Sequence, residues 1–167
     1  MEYWDLYNEK REKLGISHLR GEPLTAGCYH LVVHIWLRNS RGQYLVTRRA
    51  ADRPTYPLFW ECPGGSALRG EDSLQAALRE AREETGIALP PNAGRIAFSC
   101  IRDTIDGTSY QDILDAWLFD WDGEPSLQDA DGEVAEARWM DRSEIQKLRD
   151  DGVFVPTLDY FFDSSDI

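Results

Sequence analysis

The stretch "GGSALRGEDSLQAALREAREETGI", residues 64–87, predicts one amphipathic helix with defined ends. Asp72 followed by Gln75 predicts a capping box at its start, and Gly86 supplies the left-handed residue that commonly ends a helix. Four apolar residues recur at i, i+3, i+4 and i+7 spacing: Leu74, Ala77, Leu78 and Ala81. This stripe predicts a helix that packs one face on the core.

Three glutamates crowd another face of the same helix. Glu80, Glu83 and Glu84 occupy positions i, i+3 and i+4, where each pair of like charges destabilises a helix by about 0.2–0.5 kcal/mol. A solvated acidic face usually explains such a cluster, but Arg79 can pair with only part of it, and Glu71 and a Gly-Gly turn precede it at fixed offsets. Carboxylate oxygens, together with phosphate oxygens, are ligands that Mg²⁺ prefers. The cluster therefore predicts a metal site beside the turn.

The segment resembles the Nudix box of the Nudix hydrolase family, the motif G-x5-E-x7-R-E-U-x-E-E-x-G-U, in which U is an aliphatic residue. Its positions are filled without a departure by Gly65, Glu71, Arg79, Glu80, Ala81, Glu83, Glu84, Gly86 and Ile87. Seven single-residue matches, at about one chance in 20 each, would coincide at a given start about once in 10⁹. Coincidence is therefore a poor explanation of the motif.

The resemblance implies an α/β fold, an α/β/α sandwich around a mixed β-sheet, and an enzyme that hydrolyses a diphosphate with Mg²⁺ or Mn²⁺. The implied substrate is a small-molecule diphosphate, such as a nucleoside di- or triphosphate or a related derivative. By position in the motif, the metal ligands would be the carboxylates of Glu80, Glu83 and Glu84 and the backbone carbonyl of Gly64. Arg79 would hold the glutamates in place, and Glu71 would support the loop.

Hydrolysis also needs a general base that takes a proton from the attacking water, and Glu83 is our first candidate. Members of the family differ in this respect, and some place the base on a loop outside the motif. Glu133, directly before "VAEARWM", is the external candidate for a base or a metal ligand. A solvated carboxylate at a strand end is the alternative interpretation of Glu133.

Two arginines upstream of the motif are candidates for substrate binding. In "RRAADRPTYPLFWE", residues 48–61, Arg49 and Arg53 lie near aromatic residues, and an arginine fork suits phosphate recognition. Neutralisation of an acidic surface, with Phe59 and Trp60 in the core, is at least as good an explanation.

Isopentenyl diphosphate isomerases share this fold, and the order of "DLYNEKREKLG", "YHLVVHIWL" and "RRAADRPTYPLFW" is similar to theirs. At the position of their catalytic Cys this chain has Gly64, Ser66 stands where they have a His, and Cys62 lies two residues too early. The intact Arg-Glu and Glu-Glu pairs favour hydrolase chemistry on an isomerase-like scaffold. A ligand-binding regulator without catalysis is a third hypothesis, which the intact motif disfavours. We expect His30 and His34 to lie in the core.

Length and charge limit the organisation and the partners. The 167 residues fit one domain, residues 1–167, with residues 1–20 predicted as an N-terminal β-hairpin extension. Further strands are predicted in "YHLVVHIWL", "QYLVTRR", "GRIAFSCIRD", "QDILDAWLFDW" and "EVAEARWMD", and a helix in "DRSEIQKLRDDG". The net charge of -12 argues against duplex nucleic acid, whose phosphates demand a basic face, but allows a small anion if a metal neutralises the repulsion.

Cysteine use and hydropathy predict the compartment. Cys28, Cys62 and Cys100 are odd in number, far apart and without metal-ligand spacing, which predicts reduced thiols. The amino terminus lacks the pattern of a signal peptide, and the longest apolar run, "HLVVHIWL", is shorter than the roughly 20 residues that span a bilayer. We therefore expect a cytoplasmic protein with no membrane partner, and family habit suggests a homodimer.

Overall fold

A computed structural model of the chain describes residues 1–105 and 108–167. The strands are β1 Tyr3–Tyr7, β2 Lys13–Leu19, β3 His30–Arg38, β4 Tyr44–Arg49, β5 Trp60–Glu61, β6 Gly64–Ser66, β7 Gly94–Ile105, β8 Thr108–Asp120 and β9 Val134–Met140. The α-helices are α1 Ser73–Thr85, α2 Arg142–Asp150 and α3 Tyr160–Asp163. The predicted strands and both predicted helices are confirmed.

A mixed sheet built around β3 forms the centre of the molecule. β3 lies parallel to β8, from His30 opposite Asp112 to Arg38 opposite Asp120. β8 continues antiparallel to β7, while β3 pairs antiparallel with β6 and, at its far end, with β4. β4 in turn pairs antiparallel with β5 and β9. The β6 pairing brings the Gly-Gly turn against the middle of β3, beside the second half of α1, where Glu80 and Glu84 lie.

Helices cover both faces of the sheet, and β3 is therefore buried on both of its faces. Successive strand residues point to opposite sides, so Val33 and Ile35 pack in one cluster with Ala81 of α1. On the other side, Trp36 packs in a second cluster with Phe161 of α3, and α2 contributes to the same cluster. Each fully buried aliphatic side chain stabilises the fold by roughly 1.5–3 kcal/mol. The α/β/α sandwich is thereby confirmed.

An antiparallel hairpin of β1 and β2 lies within the extension predicted at residues 1–20. Arg11 in its turn donates two hydrogen bonds of 2.7 Å to the fully buried carboxylate of Asp115 on β8. The hairpin is therefore attached to the sheet by a long-range ion pair. The assignment of residues 1–167 to one domain stays a prediction. Across residues 1–105 and 108–167, every helix is too short or too polar to cross a membrane.

Candidate active site

The ends of α1 are those that the sequence predicts. Asp72 accepts a hydrogen bond of 2.8 Å from the backbone of Gln75, whose side chain accepts one of 2.9 Å from the backbone of Asp72. Gly86 ends the helix in the left-handed region, with a φ of 72°. Because both ends are defined, the glutamate face of α1 is held at a fixed rotation next to the Gly-Gly turn.

Arg79 is the hub of the acidic face. Its guanidinium donates to both oxygens of Glu71, at 2.7 and 3.0 Å, and to Glu80 and Glu83, at 2.9 Å each. A further bond of 3.0 Å reaches the carbonyl of Ser66 in β6. Burial opposes the charge on Arg79, but its bonds to Glu71 and its attraction to Glu80 raise its pKa. The arginine thus connects the helix to the turn, the arrangement expected of a residue that holds the glutamates in place.

Two of the three clustered glutamates have pKa values well above the ordinary value. Burial raises the pKa of Glu80 to about 7 against the attraction of Arg79, with a further increase from Glu83 and Glu133. Glu84 is 6% exposed, and burial together with the charges of Glu61 and Glu80 raises its pKa well above the ordinary value. Its carboxylate accepts a bond of 3.0 Å from the backbone of Gly64. On this side of the site, burial therefore disfavours the charged form of two carboxyl groups.

The glycine pair permits the close approach of the turn to the helix. A Cβ atom on Gly65 would overlap the carboxylate of Glu80, and one on Gly64 would overlap the backbone carbonyl of Val33 in β3. The second overlap is with backbone, which cannot move aside cheaply. Glycine at 64 and 65 is therefore a packing requirement of the site as well as a motif position.

Two ion pairs lie in or beside the same cleft. Arg53 contacts Glu133 at 2.7 Å, and Arg49 contacts Glu61 at 2.6 Å. Both arginines and Glu133 line a cleft of about 320 Å³ together with Gly64 and the α1 glutamates. The structure thus brings together every residue that the sequence nominates for metal binding, catalysis and substrate binding.

Four charged residues in or beside the cleft are absent from the sequence-based prediction: Glu2, Arg20, Glu61 and Asp131. Glu61 stands in "FWECPGG", where strand alternation could have indicated that it shares a side with the turn. Burial raises its pKa against the attraction of Arg49. Glu2 and Arg20 lie in segments without any motif, so only the position of the hairpin reveals them.

The residues left out of the predicted site are packed in the core. His30 is 8% exposed and stacks on Trp4 with ring centroids 3.9 Å apart. Nδ1 of His34 is hydrogen-bonded to the hydroxyl of Tyr160 at 2.8 Å, and burial lowers the pKa of His34 to about 3. Trp36, one of the aromatics considered as a base-stacking platform, is fully buried. These histidines behave as core residues, as predicted.

The donor set of the cleft suits a hard divalent cation. Carboxylate oxygens are the appropriate chemistry for Mg²⁺ or Mn²⁺, and a bound cation would favour the charged forms of Glu80 and Glu84, whose pKa values burial raises. Within the described part of the chain, no three acidic, His or Cys side chains already converge as a coordination group. The reason is visible in the contacts, since Glu80 and Glu83 turn to Arg79 while Glu84 turns to Gly64.

Replacement of Glu80 by glutamine is expected to change how the stability of the metal-free protein depends on pH. The wild-type pKa of about 7 lies above the ordinary value of 4.5, so stability that is present below pH 4.5 is lost as the pH rises through 7. The variant lacks this group. Between pH 4.5 and pH 8, its free energy of unfolding should therefore rise relative to that of the wild type by up to about 3 kcal/mol. Urea unfolding of both proteins at pH 4.5 and 8, with a chelator present, measures the shift. A difference that is constant with pH would contradict it, and exposed Glu124→Gln serves as control.

Comparison with known proteins gives the same assignment as the cleft. Residues 29–158 match the NUDIX domain family. An uncharacterized Nudix hydrolase of Listeria monocytogenes is 41% identical over 164 residues, which are 97% of this chain and 91% of the relative. An isopentenyl-diphosphate Delta-isomerase of Escherichia coli is 30% identical over 118 residues, 70% of this chain and 64% of the relative.

A solved structure agrees with the sequence matches. A Deinococcus radiodurans protein superposes with a TM-score of 0.73 at 25% identity, covering 92% of each chain. The family match covers most of the chain, the Listeria relative extends over nearly all of it, and the cleft carries an intact motif. The chain therefore belongs to the Nudix hydrolase family.

Proposed function

We propose that this Nudix hydrolase cleaves a diphosphate bond in a nucleoside di- or triphosphate, or in a related nucleoside diphosphate derivative, with Mg²⁺ or Mn²⁺ as cofactor. One observation carries the proposal. A single cleft is lined both by the acidic face of α1 and by Arg49 and Arg53, so that cation-binding and phosphate-binding groups border the same space. Neither set of groups alone would bind a diphosphate, because the α1 face repels it and the arginines are already paired.

The cation would be held by Glu80, Glu83, Glu84 and the carbonyl of Gly64. When bound, it would neutralise charge on the phosphate oxygens, which otherwise repels an attacking water. Arg79 would keep its carboxylate partners aligned, and Arg49 and Arg53 would bind phosphate oxygens through their guanidinium forks. The pairing of Arg53 with Glu133 supports such a role, since a phosphate can replace a carboxylate partner that is 42% exposed.

Proton removal from the attacking water would be assigned to Glu83, with Glu133 as the external candidate. Glu83 has a 44% exposed side chain, so its carboxylate is accessible from the cleft, while Glu80 and Glu84 are more deeply buried. Glu133 also lines the cleft, where its backbone is tied to Ala50 and its side chain to Arg53. Both carboxylates therefore border the same space.

A second cavity supports a substrate with a bulky group beyond the diphosphate. It has a volume of about 500 Å³, shares Arg49 and Thr55 with the cleft, and is further lined by Tyr56 and Tyr110. Aromatic side chains bind planar rings through stacking. A nucleoside part of the substrate could occupy this cavity while its phosphates lie in the cleft.

Isomerisation of isopentenyl diphosphate is the second candidate, and the similarity to the Escherichia coli isomerase favours it. The side chains of the cleft do not. Cys62 is 3% exposed and packs in the same cluster as Trp60, and burial raises its pKa well above the ordinary value. Among the described residues that line the cleft, none is a cysteine or a histidine, so the acid-base pair of an isomerase lacks a counterpart there.

The test is a screen for phosphate-containing products with Mg²⁺ and with Mn²⁺. The panel contains nucleoside di- and triphosphates, sugar nucleotides, dinucleotide polyphosphates and isopentenyl diphosphate. We expect turnover of one nucleotide class, complete loss of turnover with excess chelator, and recovery when Mg²⁺ is restored. Conversion of isopentenyl diphosphate to its allylic isomer would support the isomerase, and nucleotide binding without turnover would support a regulator.

We further propose that the protein acts in the cytoplasm. Cys28, Cys62 and Cys100 are free thiols in the structure, and free thiols persist in a reducing compartment. Fractionation of the source cells, with detection by an antibody, would test this assignment.

A further inference from the structure

The N-terminal hairpin forms part of the wall of the active-site cleft. The matched family domain begins at residue 29, whereas Glu2 and Arg20, at the open ends of β1 and β2, line the cleft beside Gly65 and Glu83. Their backbones are joined by a bond of 3.0 Å from the nitrogen of Arg20 to the carbonyl of Glu2. An element outside the matched domain thus contributes a charged side chain of each sign to the cleft.

Contacts on two sides hold the hairpin in this position. At its turn, Arg11 binds the buried Asp115, which also accepts from Ser73 and Ser99. Nearer the open end, the backbone nitrogen of Gly70 donates to Asp5 at 2.9 Å, in the loop that also carries Glu71 of the motif. The hairpin is therefore fixed both to the sheet and to the loop that precedes α1.

The four arginines of the cleft differ in how firmly they are already paired. Arg49 and its partner are 16% and 18% exposed, Arg79 is 20% exposed, and Arg53 is 24% exposed. Arg20 contacts Glu2 at 2.5 Å, but the two side chains are 53% and 47% exposed. Exposed ion pairs contribute little net stability because water competes for both partners. Arg20 can therefore exchange its carboxylate for another anion at the lowest cost of the four.

We propose that Arg20 binds a phosphate group of the substrate, that Glu2 holds the guanidinium while the cleft is empty, and that Arg11 is a positioning residue for the hairpin. The chemistry of the ligand rests on the proposed function, since a diphosphate supplies oxygens that match the guanidinium fork. The hairpin then gives the diphosphate a further cationic partner in the cleft, besides Arg49 and Arg53.

Titration calorimetry with inorganic pyrophosphate and Mg²⁺ tests the proposal without requiring turnover. Arg20→Gln should weaken pyrophosphate binding about tenfold, the effect of losing one charge-assisted hydrogen bond. The matched control is Lys10→Gln, which removes the same charge from the exposed turn of the hairpin and should leave the Kd unchanged. Glu2→Gln, which removes the competing carboxylate, should bind pyrophosphate more tightly than the wild type.

An unchanged Kd in Arg20→Gln, or a wild type that does not bind pyrophosphate, would overturn the role of Arg20. Binding through Arg20 with no turnover of any substrate in the panel would instead refute the proposed hydrolase function and keep this inference. Arg11 is tested in two backgrounds. Arg11→Ala should weaken binding in the wild type but cause no further loss in Arg20→Gln, because a positioning residue acts through the residue it positions. Equal losses in both backgrounds would contradict that role.

Discussion

Glu83→Gln is expected to reduce substrate turnover about 10³-fold or more while the protein remains folded. Glu83 is a proposed metal ligand and the first candidate for the general base, so the neutral amide removes charge from the cation site and the acceptor for the proton. The side chain is 44% exposed, and its carboxylate forms an ion pair with Arg79 at the surface of the cleft. Loss of this carboxylate should therefore lower the rate of turnover and leave core packing unchanged.

Steady-state kinetics with the substrate identified in the screen measure the effect. Glu124→Gln makes the same chemical change at an exposed position outside the cleft and should keep wild-type activity. Near-normal turnover in Glu83→Gln would contradict the assignment of the α1 face as the catalytic centre. A normal unfolding midpoint together with lost turnover would support it, and Glu133→Gln then shows whether the external carboxylate shares the role of base.

Arg79→Ala is expected to lower the free energy of unfolding by on the order of 3 kcal/mol. The substitution leaves Glu71, Glu80 and Glu83 without their shared cation, next to a buried Glu84, so that several partly desolvated carboxylates repel one another. It also removes the bond from the helix to Ser66 in β6. Both losses act on the junction between α1 and the turn.

Urea unfolding gives this free energy, and Arg82→Ala is the matched control. Arg82 lies on the same helix and is exposed, so its replacement should change stability by no more than about 0.5 kcal/mol. Arg79→Lys keeps the charge but loses the fork, and we expect it to recover only part of the stability. Equal effects of Arg79→Ala and Arg82→Ala would contradict the hub role of Arg79. Added Mg²⁺ should restore part of the lost stability, because a cation can take over some of the charge compensation.

Much of the site could be predicted because its determinants are local. Capping by Asp72 and Gly86 sets where α1 begins and ends, and helical geometry then sets which side chains share a face. The clustering of Glu80, Glu83 and Glu84 follows from these facts alone, as does the contact of Arg79 with Glu80 and Glu83. The nearly continuous apolar run of β3 similarly indicates a strand buried on both faces.

The rest of the cleft depends on contacts between residues far apart in the chain. Pairing of β4 with β9 brings Arg53 next to Glu133, although 79 residues separate them along the chain, and nothing in either segment specifies the other. Burial by the whole fold, not helical spacing, gives Glu80 its pKa of about 7. Docking of the hairpin through Arg11 and Asp115 decides that Arg20 faces the cleft. Short-range backbone physics thus determines the acidic face of α1, whereas long-range packing and desolvation decide what lies near it.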